Sequence, residues 1–209
     1  MRTLAKGALF AAAVLTAATG AIAAPATAGT SSTLATWTVS PGGAWTAKAT
    51  SPKLTDTKTG TKLTCSSSSA AGVLKSGSGL SNPLSTITSV GWTSCSGPLG
   101  ITFSVTAQNL PWSINGSTYA AGVTTGTLTG VKAHISGAGC TADFAGPTST
   151  TAATLTGTYS NATNTLTLSG GDLHAYNVSG SCLGLLNNGD AATYNAAYVL
   201  ASPQAITSP

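Results

Sequence analysis

Apolar and polar side chains alternate along most of the chain. Ile101, Phe103 and Val105 are separated by Thr102, Ser104 and Thr106, the two-residue rhythm of a strand with one buried and one wet face. The same rhythm recurs at Trp45–Ala47, Leu63–Cys65, Val131–Ala133–Ile135, Leu155–Gly157–Tyr159, Leu166–Leu168, Leu173–Ala175 and Tyr194–Ala196–Tyr198. Thr fills most outward positions, which suits a pleated surface. Turn residues punctuate these runs at Ser40-Pro41-Gly42-Gly43, at 161–164 and at Asn187-Asn188-Gly189-Asp190. Beyond the first 28 residues, no stretch longer than about ten residues shows helical periodicity. One or two short helical turns are expected at most within Ser66–Leu80. The pattern predicts an antiparallel β-sandwich or barrel.

The first 28 residues read differently. Arg2 and Lys6 precede an apolar run from Ala8 to Ala18, and small residues follow. That order is a secretory signal peptide, too short in its apolar part to span a bilayer. Two cleavage sites compete, after Ala28 and after Ala23, and the first is preferred. With no further apolar stretch of membrane length, the mature chain is expected to be exported without an anchor. The expected organisation is a leader over 1–28, N-terminal strands and a basic loop over 29–59, and a β domain over 60–209 that forms one domain with 29–59.

Composition narrows the chemistry. Only 6% of residues are charged, Glu is absent, and Arg2 is the one arginine. Removing Arg2 and Lys6 leaves six lysines against Asp56, Asp143, Asp172 and Asp190, a formal charge of +2. Nucleic-acid binding is excluded by the lack of clustered Arg, and paired-Glu glycosidase chemistry by the lack of Glu. Lys48, Lys53, Lys58, Lys62 and Lys75 crowd the first part of the mature chain. They form either a weak contact surface for anionic wall polymer or ordinary solvation of loops and sheet edges. Thr-x-Thr triplets start at positions 36, 55, 86, 125, 154 and 163, with no constant period, which argues against an ice-binding solenoid.

Cys65, Cys95, Cys140 and Cys182 are an even set in an exported chain, so two disulfides are expected among three possible connectivities. Sequential pairing, Cys65–Cys95 and Cys140–Cys182, is favoured because each bridge then closes one half of the domain. An internal echo between 87–100 and 175–185, strand followed by Cys and a Gly/Leu turn, points the same way. No CxxC pair suggests zinc.

Leu110-Pro111-Trp112, Cys95-Ser-Gly-Pro-Leu-Gly100 and Cys182-Leu-Gly-Leu-Leu-Asn-Asn-Gly-Asp190 resemble the exported Ala/Thr/Gly-rich actinobacterial proteins of unassigned function. The likeness covers about residues 60 to 209 and implies secretion and a β domain. It carries over no catalytic residue.

Candidate chemistry is sparse. Asp172 and His174, on a strand expected to follow a Gly170-Gly171 turn, are the closest acid–base pair, but positions i and i+2 on a strand lie roughly 6–7 Å apart. A hydrolase needs in addition a nucleophile and an oxyanion hole, and no G-x-S-x-G is present. His134 is read as an exposed strand residue, and no metal or cofactor is expected. The four tryptophans are the best binding signal. Trp112, after Pro111 in a polar segment, is expected to have the most reachable ring. The leading reading is therefore an extracellular binding protein for wall polymer or polysaccharide. A small hydrolase using Asp172 and His174, or a carrier of a small apolar ligand inside the β domain, are the alternatives. Oligomeric state is left open.

Overall fold

A computed structural model describes residues 36–209 except 138 and 181. The leader expected over 1–28 lies outside the described residues. The strands are β1 (Trp37–Ser40), β2 (Gly43–Thr50), β3 (Lys53–Asp56), β4 (Lys62–Leu74), β5 (Gly77–Leu80), β6 (Ser85–Ser96), β7 (Thr102–Gln108), β8 (Trp112–Ala120), β9 (Val123–Gly137), β10 (Cys140–Ala145), β11 (Ala153–Ser160), β12 (Thr165–Gly180), β13 (Ala191–Leu200) and β14 (Ala205–Thr207).

The pairings are antiparallel and close twice. Toward one end, β2, β4, β6, β8, β9, β11, β12 and β13 pair in that order, and β13 returns to β2. Toward the other end, β3, β4, β6, β7, β9, β10, β12 and β13 pair in that order, and β13 returns to β3. Long strands β4, β6, β9, β12 and β13 run through both rings. Of the two expected architectures, the chain forms the barrel. Eight strands around a ring leave an interior that side chains fill or that holds one small ligand.

The alternation sorts side chains as predicted. On β2, Trp45, Ala47 and Ala49 are buried while Thr46, Lys48 and Thr50 are exposed. A dry inside and an outer face of Thr, Ser and Lys is the reverse of a membrane-spanning barrel, whose outward band is apolar. Among the described residues, no helix is long and apolar enough to cross a membrane.

One end of the barrel is capped. β1 lies between β5 and β14 in a separate three-stranded sheet. Trp37, Val39 and Ile206 turn inward from it and are buried. Trp37 stacks over backbone at Gly116, where a Cβ would sit 2.5 Å from the indole. Only glycine leaves room there.

Two local expectations are corrected. Ser66–Leu74 lies in β4 and Gly77–Leu80 is β5, because the apolar residues Ala70, Gly72 and Leu74 keep a strand period. Pro98–Gly100 is a tight turn and not a helical one, since Leu99 and Gly100 both have positive φ and Ile101 N donates to the Pro98 carbonyl. The turn expected at Gly170-Gly171 is a bulge inside a continuous β12, where the register with β13 shifts between Gly170 and Leu173. Both glycines have positive φ, 82° and 123°, which bends the strand without ending it.

Both disulfides form as paired in sequence, Cys65–Cys95 and Cys140–Cys182. The first joins neighbouring strands β4 and β6. The second joins the start of β10 to the loop after β12. One polar chain crosses the apolar interior. Trp92 Nε1 donates to Tyr194 Oη at 3.0 Å, and Tyr194 and Tyr198 hydroxyls meet at 2.9 Å. Tyr198 Oη meets Ser68 Oγ at 2.8 Å, and Ser68 donates onward to the Gly91 carbonyl. Every member has a partner, so the network specifies register rather than destabilising the core.

Candidate functional site

The uncapped end of the barrel is covered by two loops, Gly97–Ile101 and Cys182–Asp190, and by the β3–β4 hairpin. Beneath them lies a pocket of about 190 Å³ walled by Leu54, Leu63, Ile101, Phe103, Phe144 and Leu186, with Asp56, Thr61 and Lys62 at its polar side. Deeper in the barrel a dry cavity of about 60 Å³ shares Leu54, Leu63, Ile135 and Phe144 with it. Volume separates their roles. An apolar cavity of about 150 Å³ admits benzene, so the inner space is a packing gap and the end pocket has room for an apolar group.

The rim carries apolar side chains on strained backbone. Leu99 and Leu183 are 87% and 58% exposed, and both stand at positive φ, 58° and 56°. Such a conformation is unfavourable for a residue of this shape. The Cys140–Cys182 bridge tethers one of these loops directly beside the pocket.

The polar side is held by two buried carboxylates. Asp56 is 4% exposed, and its Oδ1 accepts the backbone N–H groups of Lys58 and Thr59 at 2.8 and 2.9 Å. Its Oδ2 is buried with no hydrogen-bond partner among the described residues. Asp190 accepts from Asn187 N and Nδ2 through Oδ2, and its Oδ1 pairs with Lys58 Nζ at 3.1 Å. Burial works to raise the Asp190 pKa. The Asn187 and Lys58 hydrogen bonds and the Lys58 charge outweigh it, holding the carboxyl below its ordinary value.

The sequence-predicted residues lie elsewhere. Trp112 is 3% exposed, its Nε1 donating to the Gln108 carbonyl. The expected reachable ring is thus corrected, because β8 turns this indole inward onto the small cavity of the barrel interior. Asp172 accepts the Thr154 N–H through Oδ1, while His174 Nδ1 meets the Asp172 backbone oxygen at 3.0 Å. Asp172 braces the bulge of β12, and the two side chains make no hydrogen bond to each other.

His134, expected as an exposed strand residue, lies on β9 and its Nδ1 meets Asp143 Oδ1 at 2.7 Å. Asn177 Nδ2 donates to the other oxygen of Asp143. Burial works to raise the Asp143 pKa, but Asn177, His134 and Lys132 together lower it. The signal lay in the β9–β10 hairpin, where Gly137 pairs with Cys140 and counting outward sets His134 opposite Asp143. Among the described residues, no group of three or more His, Cys, Asp or Glu gathers as a metal site. Lys48, Lys53, Lys58, Lys62 and Lys75 are all exposed, and Lys58 alone among these five makes an ion pair with a described carboxylate.

A family model described as alkane oxidation protein activator PraA/PraB-like matches residues 1–200. No curated protein and no solved structure matches the chain.

Proposed function

The chain belongs to the PraA/PraB-like family of alkane oxidation protein activators, and from that premise we propose that it is an exported accessory protein that binds the end of an apolar chain in the pocket of its open barrel end. The observation that carries this reading is the roughly 190 Å³ pocket walled by Leu54, Leu63, Ile101, Phe103, Phe144 and Leu186. Burying apolar surface there is worth about 25 cal/mol per Å² removed from water. Exposed Leu99 and Leu183 offer a first apolar contact at the rim. The two disulfides fit an oxidising compartment, extracellular or periplasmic, where water-insoluble substrate has to be met.

This reading favours the carrier alternative over a hydrolase, since Asp172 and His174 make no side-chain pair. Contact with anionic wall polymer is a lesser reading. With Trp112 buried, it rests on the exposed lysines. Sedimentation with insoluble wall at low salt, lost at 1 M, is its test.

Titration with N-phenyl-1-naphthylamine, an apolar fluorophore that brightens out of water, tests the pocket. Uptake by the oxidised protein, reversed by n-decane, is the expected result. Leu186→Asp, on a half-buried loop position, should weaken uptake about tenfold by placing a charge against the apolar wall. Absence of uptake, or uptake indifferent to Leu186→Asp, would overturn the assignment.

A further inference from the structure

The end pocket and the inner cavity lie one behind the other, and a single layer of side chains stands between them. Leu54, Leu63, Ile135 and Phe144 face both spaces. The lining changes hands in chain order. From β3 it runs Asp56, Leu54, Pro52, and toward β4 it runs Thr61, Leu63, Cys65. In each trio the first residue faces only the end pocket, the second both spaces and the third only the cavity. On β7 the change falls between Phe103 and Val105, and on β9 Ala133, next inward after Ile135, faces the cavity alone.

Phe144 is the bulk of that layer. It is 3% exposed on β10. Its partners in register are Ala133 on β9 and Ala175 on β12, with Ala107 of β7 beyond Ala133. Across four neighbouring strands it is the one large side chain at its level, and the alanines beside it leave the space its ring occupies. Cys140, at the start of β10, also lines the end pocket. The pocket therefore runs over four residue steps of this strand, roughly 13 Å. Its polar lining, Asp56, Thr61 and Lys62, stands on the mouth side of Leu54 and Leu63. A chain enters with its apolar terminus first and keeps any polar group near that mouth.

We propose that Phe144, seated with Leu54, Leu63 and Ile135, is the floor of the pocket and limits it to the terminal stretch of a saturated hydrocarbon chain, about seven or eight carbons. This rests on the apolar-ligand reading above and deepens it. A cavity of about 150 Å³ takes benzene, so each carbon needs about 25 Å³. The end pocket of about 190 Å³ is filled by about seven or eight carbons on that scale, and the inner 60 Å³ would add about two if the floor were open. Shorter chains leave wall unburied. Longer chains are held by the terminus alone, with the rest passing out beside Leu99 and Leu183. The pocket thus reads a chain end and is indifferent to total length beyond it.

The test displaces N-phenyl-1-naphthylamine from the oxidised protein with 1-alkanols from pentanol to dodecanol. Each methylene that reaches the wall should raise affinity about fourfold, up to about octanol, with little gain beyond. Phe144→Ala joins the two spaces and should move this break at least about two carbons longer. Phe144→Leu keeps the core apolar, should move the break in the same direction by a smaller step, and carries the test if the alanine variant fails to fold. The readout is the position of the break, because a merely loosened core lowers every affinity together and leaves the break where it was. Affinity still climbing from octanol to dodecanol in the parent overturns the inference. So does a break that stays in place in the folded variants. In both cases displacement by n-decane still stands for the apolar pocket. Failure of every alkanol and of n-decane to displace the probe overturns both readings.

Discussion

Ser68 holds together more than its size suggests. Its hydroxyl donates to the Gly91 carbonyl and accepts from Tyr198, whose partner Tyr194 is in turn bonded by the Trp92 indole. Burial raises the pKa of both tyrosines, so they stay neutral donors across the working range of pH. Ser68→Ala strands the Tyr198 hydroxyl inside the barrel. A loss of about 1–3 kcal/mol is expected, read as a lower urea midpoint at unchanged slope. Asp190 behaves differently because it is charged. Its folded pKa lies below the ordinary value, so its contribution is fully present above the unfolded pKa, near 4, and is lost as pH falls through the folded one. Asp143 adds to the same acid limb with less weight, its side chain being partly exposed. Asp190→Asn should lower the melting temperature at pH 7 and flatten its decline below about pH 4. A decline as steep as that of the parent would assign the acid limb to other groups.

Among the elements, the loop 182–190 and its bridge to β10 tie stability to the pocket. On the chain-entropy model, replacing Cys140 and Cys182 together by Ser costs about 4 kcal/mol, for a sequence separation of 42 residues. It should also weaken uptake of the apolar fluorophore, because Leu183, Leu185 and Leu186 lose their anchor. Replacing Cys65 and Cys95 should cost a similar amount and leave uptake intact, since β4 and β6 stay paired along their length. Equal effects of both replacements on uptake would detach the pocket from that loop. These elements also mark how far the sequence could be read. Strands were legible wherever Trp45, Phe103 or Leu155 alternated with Thr, since a two-residue period records which face is wet. It does not record the neighbour, so the period alone leaves sandwich and barrel open, and the return of β13 to β2 and β3 decides for the barrel. Trp112 misled because Pro111 and the polar residues around it read as a loop, while β8 carries the ring inward. The pocket was illegible for a related reason. Leu54, Phe103, Phe144 and Leu186 come from four distant segments, and the motifs at that end, Cys95–Gly100 and Cys182–Asp190, read as turns rather than as pocket wall.

At the scale of the whole molecule, closure substitutes for charge. A chain with 6% charged residues has few gatekeepers to discourage edge pairing. The barrel needs few, because both rings leave no open ladder between β2 or β3 and β13. That protection exists only in the folded state. Recovery of native protein after dilution from denaturant should therefore fall steeply with protein concentration, measured by light scattering alongside fluorophore uptake. Concentration-independent recovery would show that the unfolded chain is protected by something other than topology. The pairing of β13 with β2 and β3 has a further consequence, in the order of synthesis. Residues 47–49 and 53–56 find their second partners only at 192–200, so the earlier strands of the barrel stay unclosed until β13 arrives. A chain made N-terminus first has no finished barrel until that strand arrives, and any chaperone acting on it has nearly the whole polypeptide to shield.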